Sequence, residues 1–590
     1  MKQKRDGGNF LHGALILTGG MVLVKLIGAM FKIPLNYTVG EYGMGLFNAA
    51  YHFYGPVFSL ATAGFPVAVS RMVSENRSLG RLNDVKAVKR VAFPLFLSFG
   101  GAGMLLLTLL APAYCRAVSG AQGAWLYALP PMLALAPAIL FACAGAVYRG
   151  YYEGLRNMMP TACSEVIEAL IKLILGLALS HRIVEHCTQE YAASGTVFSF
   201  VPPNADAAAL LTLSLAAAGA VLGVTAGSLG ALLFLLLRHR VLGDGITPQQ
   251  CADAPPARER RVTRRRLLRI CVPIALGSIT ANVAGLIDAA FLQNRIAAVL
   301  ASSAQRLLGQ YSGMIPQIYL KNPETLPTFL YGCYTLAMTV YLLVPALTQP
   351  IGISALPAVT EAFSKGDKAE LQARCASVCR VTALFCFPAG IGISALSAPI
   401  VRLLYGAGES APIVAGVLAL LGAASLAAAL CAPLSSMLQA VGRADLPVKL
   451  LLFGMTIKLL CNWLLCGMPE VNLYGAALGT LFCYLFLAAA QFIALKRECG
   501  MAVSGIALFG KPLICAMVCG AGARAAFLLL TTIFPAQGVT EAAFLFASIL
   551  FGAVLYVLSL FLTASVVKSD LKMLPCGQKI TKTLEKWEWI

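Results

Sequence analysis

Two lysines, Lys25 and Lys32, stand inside TGGMVLVKLIGAMFKIPLN (residues 18–36), a stretch otherwise suited to hydrocarbon. Seven residues at 100° each bring them within about 20° of one helical face and roughly 10 Å apart along the axis. A lysine at the centre of a bilayer costs on the order of 3 kcal/mol, so such a stripe must face water, a counter-charge or an anionic ligand. Lys32 has the alternative of reaching outer headgroups, whereas Lys25 is too deep for that and is expected to matter more. A second set occurs in SEVIEALIKLILG, where Glu165, Glu168 and Lys172 share a helical face. Two outcomes are open there: a self-neutralising Glu168–Lys172 pair, or part of a wet site. Asp288 in NVAGLIDAAF, and Lys458 with Asn462 in IKLLCNW, add more intramembrane charge and polarity. A shared aqueous cavity is the means of solvating so many. Rich in lysine and tempered by carboxylates, it suits a bulky anion, pyrophosphate above all, because an ammonium holds phosphate as a point charge and can release a moving headgroup. Arg71, first of the cations in segment 71–90, joins Lys25, Lys32, Glu165, Glu168 and Lys172 as a candidate substrate-binding residue.

The elements that must position these residues are membrane helices. Of 590 residues 59% are apolar and 12% charged, and long uncharged runs recur as far as residue 563, which marks an all-α polytopic membrane protein. Windows of about 20 apolar residues predict fourteen spans, near 10–35, 46–70, 91–112, 125–148, 160–180, 207–237, 270–292, 328–350, 378–398, 411–438, 448–466, 473–495, 507–533 and 541–563. The first run is too long for a signal peptide, has internal lysines and no small-residue cleavage pattern, so it reads as mature structure.

The net charge of +19 reports topology. Segment 71–90 has six basic residues and 238–269 has nine arginines, while 113–124 and 181–206 hold only Arg116 and Arg182. Basic loops stay in the cytoplasm, which puts both termini there. Anionic phospholipids are an expected partner of the arginine cluster; nucleic acid is not, since no aromatic platform accompanies the charge. Protein partners are not specified. Eighteen scattered cysteines without CxxC or nearby histidines read as free packing thiols, and no metal or cofactor is expected. His52 reads as a packing residue, and His181 and His186 as outer-loop residues.

The chain repeats itself. PVAVSRMVSENRSLGRLNDVKA (66–87) parallels PAVTEAFSKGDKAEL (357–371), and GLRNMMPTACSEVIEALIKL parallels GRADLPVKLLLFGMTIKLL, at offsets of 291 and 287 measured between their prolines. Six spans separate the copies, so they share one orientation. The expected organisation is two pseudo-symmetric six-helix lobes, 1–240 and 270–500, joined by a basic linker at 241–269, then two further helices in 501–565 and a cytoplasmic tail at 566–590. Two such lobes are the plan of an alternating-access transporter, with Gly55-Pro56, Gly64-Phe65-Pro66 and Pro130-Pro131 as candidate flexing points.

FLHGALILTGGMVLVKLIGAMFKIPL, followed by VGEYGMGLFNAAY and ATAGFPVAVSRMVSE, resembles the start of stage V sporulation protein B and of the MurJ-type lipid II flippases of Gram-positive bacteria. VYRGYYEGLRNMMPTACSEVIE is similar to a second signature of that group, and the resemblance covers nearly the whole chain. It implies the fold of the multidrug/oligosaccharidyl-lipid/polysaccharide exporter superfamily. It also implies flipping of an undecaprenyl-pyrophosphate-linked cell-wall precursor, lipid II foremost, to the outer leaflet of the bacterial cytoplasmic membrane. The family's first-helix cations fall on Lys25 and Lys32, with lysine where many members have arginine. A sodium site found in some members would fall near Asp288, Asn462 and Thr480. Here Lys458, one turn before Asn462, would occupy it as a tethered cation. The resemblance further suggests that the last two helices, 507–563, offer the polyprenyl tail a groove.

The nearest rival is a drug or metabolite exporter of the same superfamily, against which the lysines of the first helix argue. A polytopic glycosyltransferase or polysaccharide polymerase would need catalytic carboxylates on a substantial outer loop. The longest outer connections, near 181–206 and 293–327, have few acidic residues, and no GxxxxGK[ST] loop is present, so no enzyme is expected.

Overall fold

The structure, a computed structural model, describes residues 2–59, 64–119, 124–501, 505–534 and 538–563; the expected tail at 566–590 lies outside them. By packing the chain gathers into two compact units. Residues up to Ala297 with Ile318–Gly332 form the first, and Ala298–Gln317 with the residues from Cys333 onward form the second. This division follows contacts rather than the internal repeat, so the helix after the arginine run counts with the first unit.

The first unit contains α1 (Lys2–Ser59), α2 (Phe65–Ser78), α3 (Leu82–Ser119), α4 (Trp125–Leu135), α5 (Ala138–Gly154), α6 (Met159–Ser194), α7 (Ala205–Leu242), α8 (Pro248–Ala252) and α9 (Arg260–Ile287). Next come α10 (Gln293–Gln310), α11 (Gln317–Lys321) and α12 (Leu326–Tyr341), which carry the chain between units. The second unit continues with α13 (Leu343–Lys365), α14 (Lys368–Ala395), α15 (Ser397–Tyr405), α16 (Ala411–Ala440), α17 (Asp445–Leu465), α18 (Leu473–Cys499), α19 (Gly505–Ile533) and α20 (Val539–Leu562). Among the described residues no strand forms, and ten helical stretches are long and apolar enough to cross a membrane. Those ten correspond to the third, fourth, sixth and eighth to fourteenth expected spans. The others lie on α1, α2, α6 and α9, which include the helices of the candidate site and of the arginine run.

α1 is two helical arms that meet at Gly40, where the chain reverses direction. Gly40 has φ 62° and ψ −175°, a left-handed conformation that a side chain would strain. Across it Lys32 meets Asn48 at 3.2 Å, and the Phe31 and Phe47 rings lie 5.7 Å apart. A straight helix would hold residues 32 and 48 about 24 Å apart, so the two expected spans fold back on each other.

Glycines set how close α6 and α7 come. Gly219, Gly223 and Gly227 recur every four residues on α7, and a Cβ at Gly223 would fall 2.3 Å from the Gly176 Cα, so the two backbones touch there. With 36 and 38 residues, α6 and α7 run about 54 and 57 Å, nearly twice a hydrocarbon layer of about 30 Å. The expected loop at 181–206 is thus corrected: α6 continues to Ser194 because nothing breaks it before Gly195, and His181 and His186 lie on the helix. The 293–327 connection is likewise helical over Gln293–Gln310.

The turn beyond α6 is organised by one carboxylate. Glu190 accepts from the amides of Ser199 (2.8 Å) and Phe198 (2.9 Å) and from the Thr196 hydroxyl (2.7 Å), holding two residues at positive φ. The Ser199 amide, the Thr196 hydroxyl and the Phe198 amide keep its carboxyl below the usual glutamate range. A depressed folded value means that this support is present at neutral pH and is lost as pH falls through that value. Exchange protection of the Phe198 and Ser199 amides is therefore expected at neutral pH, and its loss on acidification through that depressed value or in Glu190→Gln. Equal protection in Glu190→Gln would show that the turn holds without the carboxylate.

The basic linker is corrected too, since RERRVTRRRLLR is mostly the start of α9 rather than loop. Residues 243–258 lie against the α2–α3 turn. Asn83 Nδ2 donates to the carbonyls of Cys251 (2.8 Å), Ala254 (3.1 Å) and Pro255 (3.1 Å). Buried Asp84 accepts the Arg258 amide at 2.7 Å, and Arg266 Nη2 reaches both Glu75 oxygens at 2.7 Å. Tyr151 donates to Asp244 at 2.8 Å.

In the second unit a core of small and aliphatic side chains joins α13, α14, α16 and α18 and extends to α19 and α20. The last two helices are fastened by Arg524 donating to the Ala395 carbonyl (2.7 Å), Arg402 to Glu541 (2.7 Å) and Tyr556 to the Leu384 carbonyl (2.9 Å). The described cysteines are free thiols, as expected, and no cluster of metal-ligating side chains occurs among the described residues.

Candidate functional site

The reversal at Gly40 brings Lys32 to Asn48, whose own amide donates to the Met44 carbonyl at 2.8 Å and so turns its oxygen toward the ammonium. Lys172 of α6 lies over the Phe31 ring at 5.2 Å and the Tyr51 ring at 5.9 Å, close enough to Lys32 for the two charges to repel. Ring faces favour a cation without neutralising it. Two ammonium groups, an amide and two aromatic rings thus converge from both arms of α1 and from α6. Lys25, in contrast, is exposed on α1, and Arg71 is exposed on α2. Chemically, the cluster can hold a divalent oxyanion.

The carboxylates of α6 are arranged otherwise than an i, i+4 pair would have them. Glu168 Oε2 binds Arg149 Nη2 of α5 at 2.6 Å, and its Oε1 accepts from Ser228 of α7 at 2.7 Å. Arg149 Nε also donates to Ser164 at 3.1 Å. Among the described residues no ion pair joins Glu168 to Lys172, although the carboxylate still favours the ammonium charge one turn away. Glu165, half-buried one turn earlier, adds to the field at Arg149. Arg149 escaped the sequence reading because it sits 19 positions from Glu168 on another helix; its place at the end of an apolar run, after FACAGAVY, was the available signal.

The four residues expected to couple transport to an ion fall in both units. Asp288, buried in the first, opens a π-helical turn, Asp288–Leu292, a geometry that recurs at functional sites. Lys458 and Asn462 of α17 and Thr480 of α18 are buried in the second. At Gly479 a Cβ would come within 2.7 Å of the Asn462 oxygen, so α18 crosses α17 closely just before Thr480. The Thr480 hydroxyl donates to the Ala476 carbonyl at 3.0 Å and meets the Tyr334 hydroxyl at 3.3 Å.

Comparison with known proteins places this all-helical membrane chain in a family. The profile of the polysaccharide biosynthesis protein family matches residues 10–363, and that of the lipid II flippase MurJ matches residues 331–567. Two Bacillus subtilis (strain 168) proteins are similar. "Lipid II flippase MurJ" is 23% identical over 83% of this chain and 83% of its own, and "Stage V sporulation protein B" is 23% identical over 80% of each. Among solved structures, an inward-facing multidrug resistance MATE family transporter aligns with a TM-score of 0.56 at 16% identity, covering 81% of this chain and 98% of that one. Lipid II flippase MurJ in an inward closed conformation aligns at 0.51 and 14% identity, covering 90% and 97%. At those identities the structural likeness is one of fold. The chain is a multi-pass protein of the cytoplasmic membrane, a transporter rather than an enzyme, and it belongs to the polysaccharide biosynthesis protein family, with a likeness to MurJ over residues 331–567.

Proposed function

We propose that the protein flips an undecaprenyl-pyrophosphate-linked cell-wall precursor, with lipid II as the favoured cargo, from the inner to the outer leaflet by alternating access, and so serves peptidoglycan synthesis. The observation that carries this reading is the convergence of Lys32 and Lys172 beside Asn48, two cations suited to a pyrophosphate. Lys25 and Arg71 would meet the headgroup on its way in, and Glu165 and Glu168 would temper the field. Fourteen crossings, two six-helix lobes plus two helices, and both termini in the cytoplasm complete the proposal. In that orientation the exposed Arg260, Arg261, Arg264, Arg265 and Arg269 of α9 would rest on anionic phospholipid headgroups.

The test is translocation of fluorescent lipid II by the purified chain in proteoliposomes, beside a lipid-linked teichoic-acid precursor and a cationic drug. Lipid II moving fastest is the expected result. Preference for the teichoic-acid precursor would reassign the cargo, and transport of the drug alone would favour the exporter reading. Orientation has its own check, in a background stripped of reactive native cysteines. A cysteine placed at 190–204 should react with an impermeant thiol reagent in intact cells, and one at 251–257 should not; the reverse would invert the topology.

A further inference from the structure

Glu168 tempers the field at the headgroup, and its ion pair with Arg149 of α5 sits one helical turn from Lys172. Helical spacing favours a contact between Glu168 and Lys172, since residues four apart on one face are neighbours. The structure gives both oxygens of Glu168 to other helices instead: Oε2 to Arg149 at 2.6 Å and Oε1 to Ser228 at 2.7 Å. The backbone fixes this choice from two sides. A Cβ on Gly227 would come within 2.6 Å of the Glu168 carbonyl, so α7 lies against α6 at that level and brings Ser228 within reach. On the other side Arg149 is braced by the Ser164 hydroxyl, which itself donates to the Thr161 carbonyl at 2.8 Å. The Arg149 and Glu168 side chains are largely buried, at 13% and 21% exposure, so water does little to screen the charges from each other or from Lys172.

We propose that Arg149 is a positioning residue for substrate binding: by holding the Glu168 carboxylate it keeps Lys172 beside Lys32 as a second cation available to the anionic headgroup. The inference rests on the anion-binding role proposed for Lys32 and Lys172. With Arg149 removed, Glu168 is the nearest carboxylate along the helix to Lys172, and pairing them would leave one ammonium in the cluster where there were two. The same logic gives Ser228 a supporting part, because it occupies the second oxygen.

The experiment measures binding of a short-chain polyprenyl pyrophosphate to the purified full chain, together with KM and kcat for flipping. Wild type binding the probe and Lys32→Ala losing it establishes the site; failure there overturns the functional reading itself. With the site established, Arg149→Met is expected to bind at least roughly tenfold more weakly, the scale of one charged contact, with the loss mainly in KM. Arg149→Lys, which keeps the compensating charge, should stay near wild type. In the double variant Arg149→Met/Glu168→Gln the competing carboxylate is gone and binding should return to within about threefold of wild type, although the ion pair is absent. A folded Arg149→Met that binds like wild type, or a double variant as weak as the single one, overturns the proposal, the latter leaving the pair a purely structural brace between helices. Should Arg149→Met fail to accumulate, Arg149→Gln takes its place in both the single and the double variant, with the same outcomes expected and the same ones overturning the proposal.

Discussion

Lys32→Ala is expected to abolish flipping while the protein still inserts and accumulates. Removing an intramembrane cation eases insertion, so loss of transport without loss of protein is the signature of a lost substrate contact. The side chain donates to Asn48 and stands beside Lys172, so the substitution takes one of two ammonium groups from the cluster. A hydrogen bond to a charged group contributes about 1.5–3 kcal/mol, or roughly ten- to a hundredfold in headgroup affinity. Lys32→Arg, which keeps the charge, should retain part of the activity. Lys25→Ala should lose less, the reverse of the ranking expected from depth along the first span, because Lys25 is exposed on α1 whereas Lys32 meets Asn48. Flipping assays in proteoliposomes, normalised to inserted protein, decide the matter, and normal flipping by stably inserted Lys32→Ala would remove the anion site from the reading.

A comparably large effect is expected from the membrane potential. Lys458 is buried on α17 one turn before Asn462, with Thr480 on the neighbouring helix. If this lysine serves as a tethered cation in place of sodium, flipping should persist when sodium is replaced by potassium and fall when the potential is collapsed. Moving one charge across the membrane is worth about 2.3 kcal/mol per 100 mV, enough to bias return of an emptied, lysine-lined carrier. Lys458→Ala should remove that bias and create a sodium requirement met by Asn462 and Thr480. The measurement sets ion composition and voltage independently in proteoliposomes. A strict sodium requirement in the wild type with no response to voltage would refute the substitution of lysine for sodium.

The hydrophobic runs were legible because hydropathy is a local property, and the ten most apolar helices coincide with expected spans. Charges within those runs could be found the same way, but their partners could not. Lys32 and Asn48 meet only because Gly40 reverses the chain, and a glycine in TVGEYG does not announce the angle of that turn. Glu168 has a sequence neighbour at the right spacing and yet binds Arg149, a choice made by how closely α7 approaches at Gly227. The overhang of α6 was missed for a different reason. Past residue 180 the helix turns polar, with Arg182, Glu185, Gln189 and Glu190, and hydropathy cannot tell a polar helix in water from a loop.

The latch on the linker has an evolutionary consequence. Asn83 grips three carbonyls, and Asp84 grips the Arg258 amide, so what they recognise in residues 251–258 is main chain common to almost any sequence. Side chains from Cys251 to Ala257 are accordingly free to drift, whereas Arg258 adds its charge to the latch, with Nε 3.9 Å from an Asp84 oxygen. Its length is not free in the same way, since one inserted residue between Pro255 and Arg258 would move the Arg258 amide about 3.5 Å along the chain and out of reach of Asp84. Divergence here should accumulate as substitutions rather than as insertions or deletions.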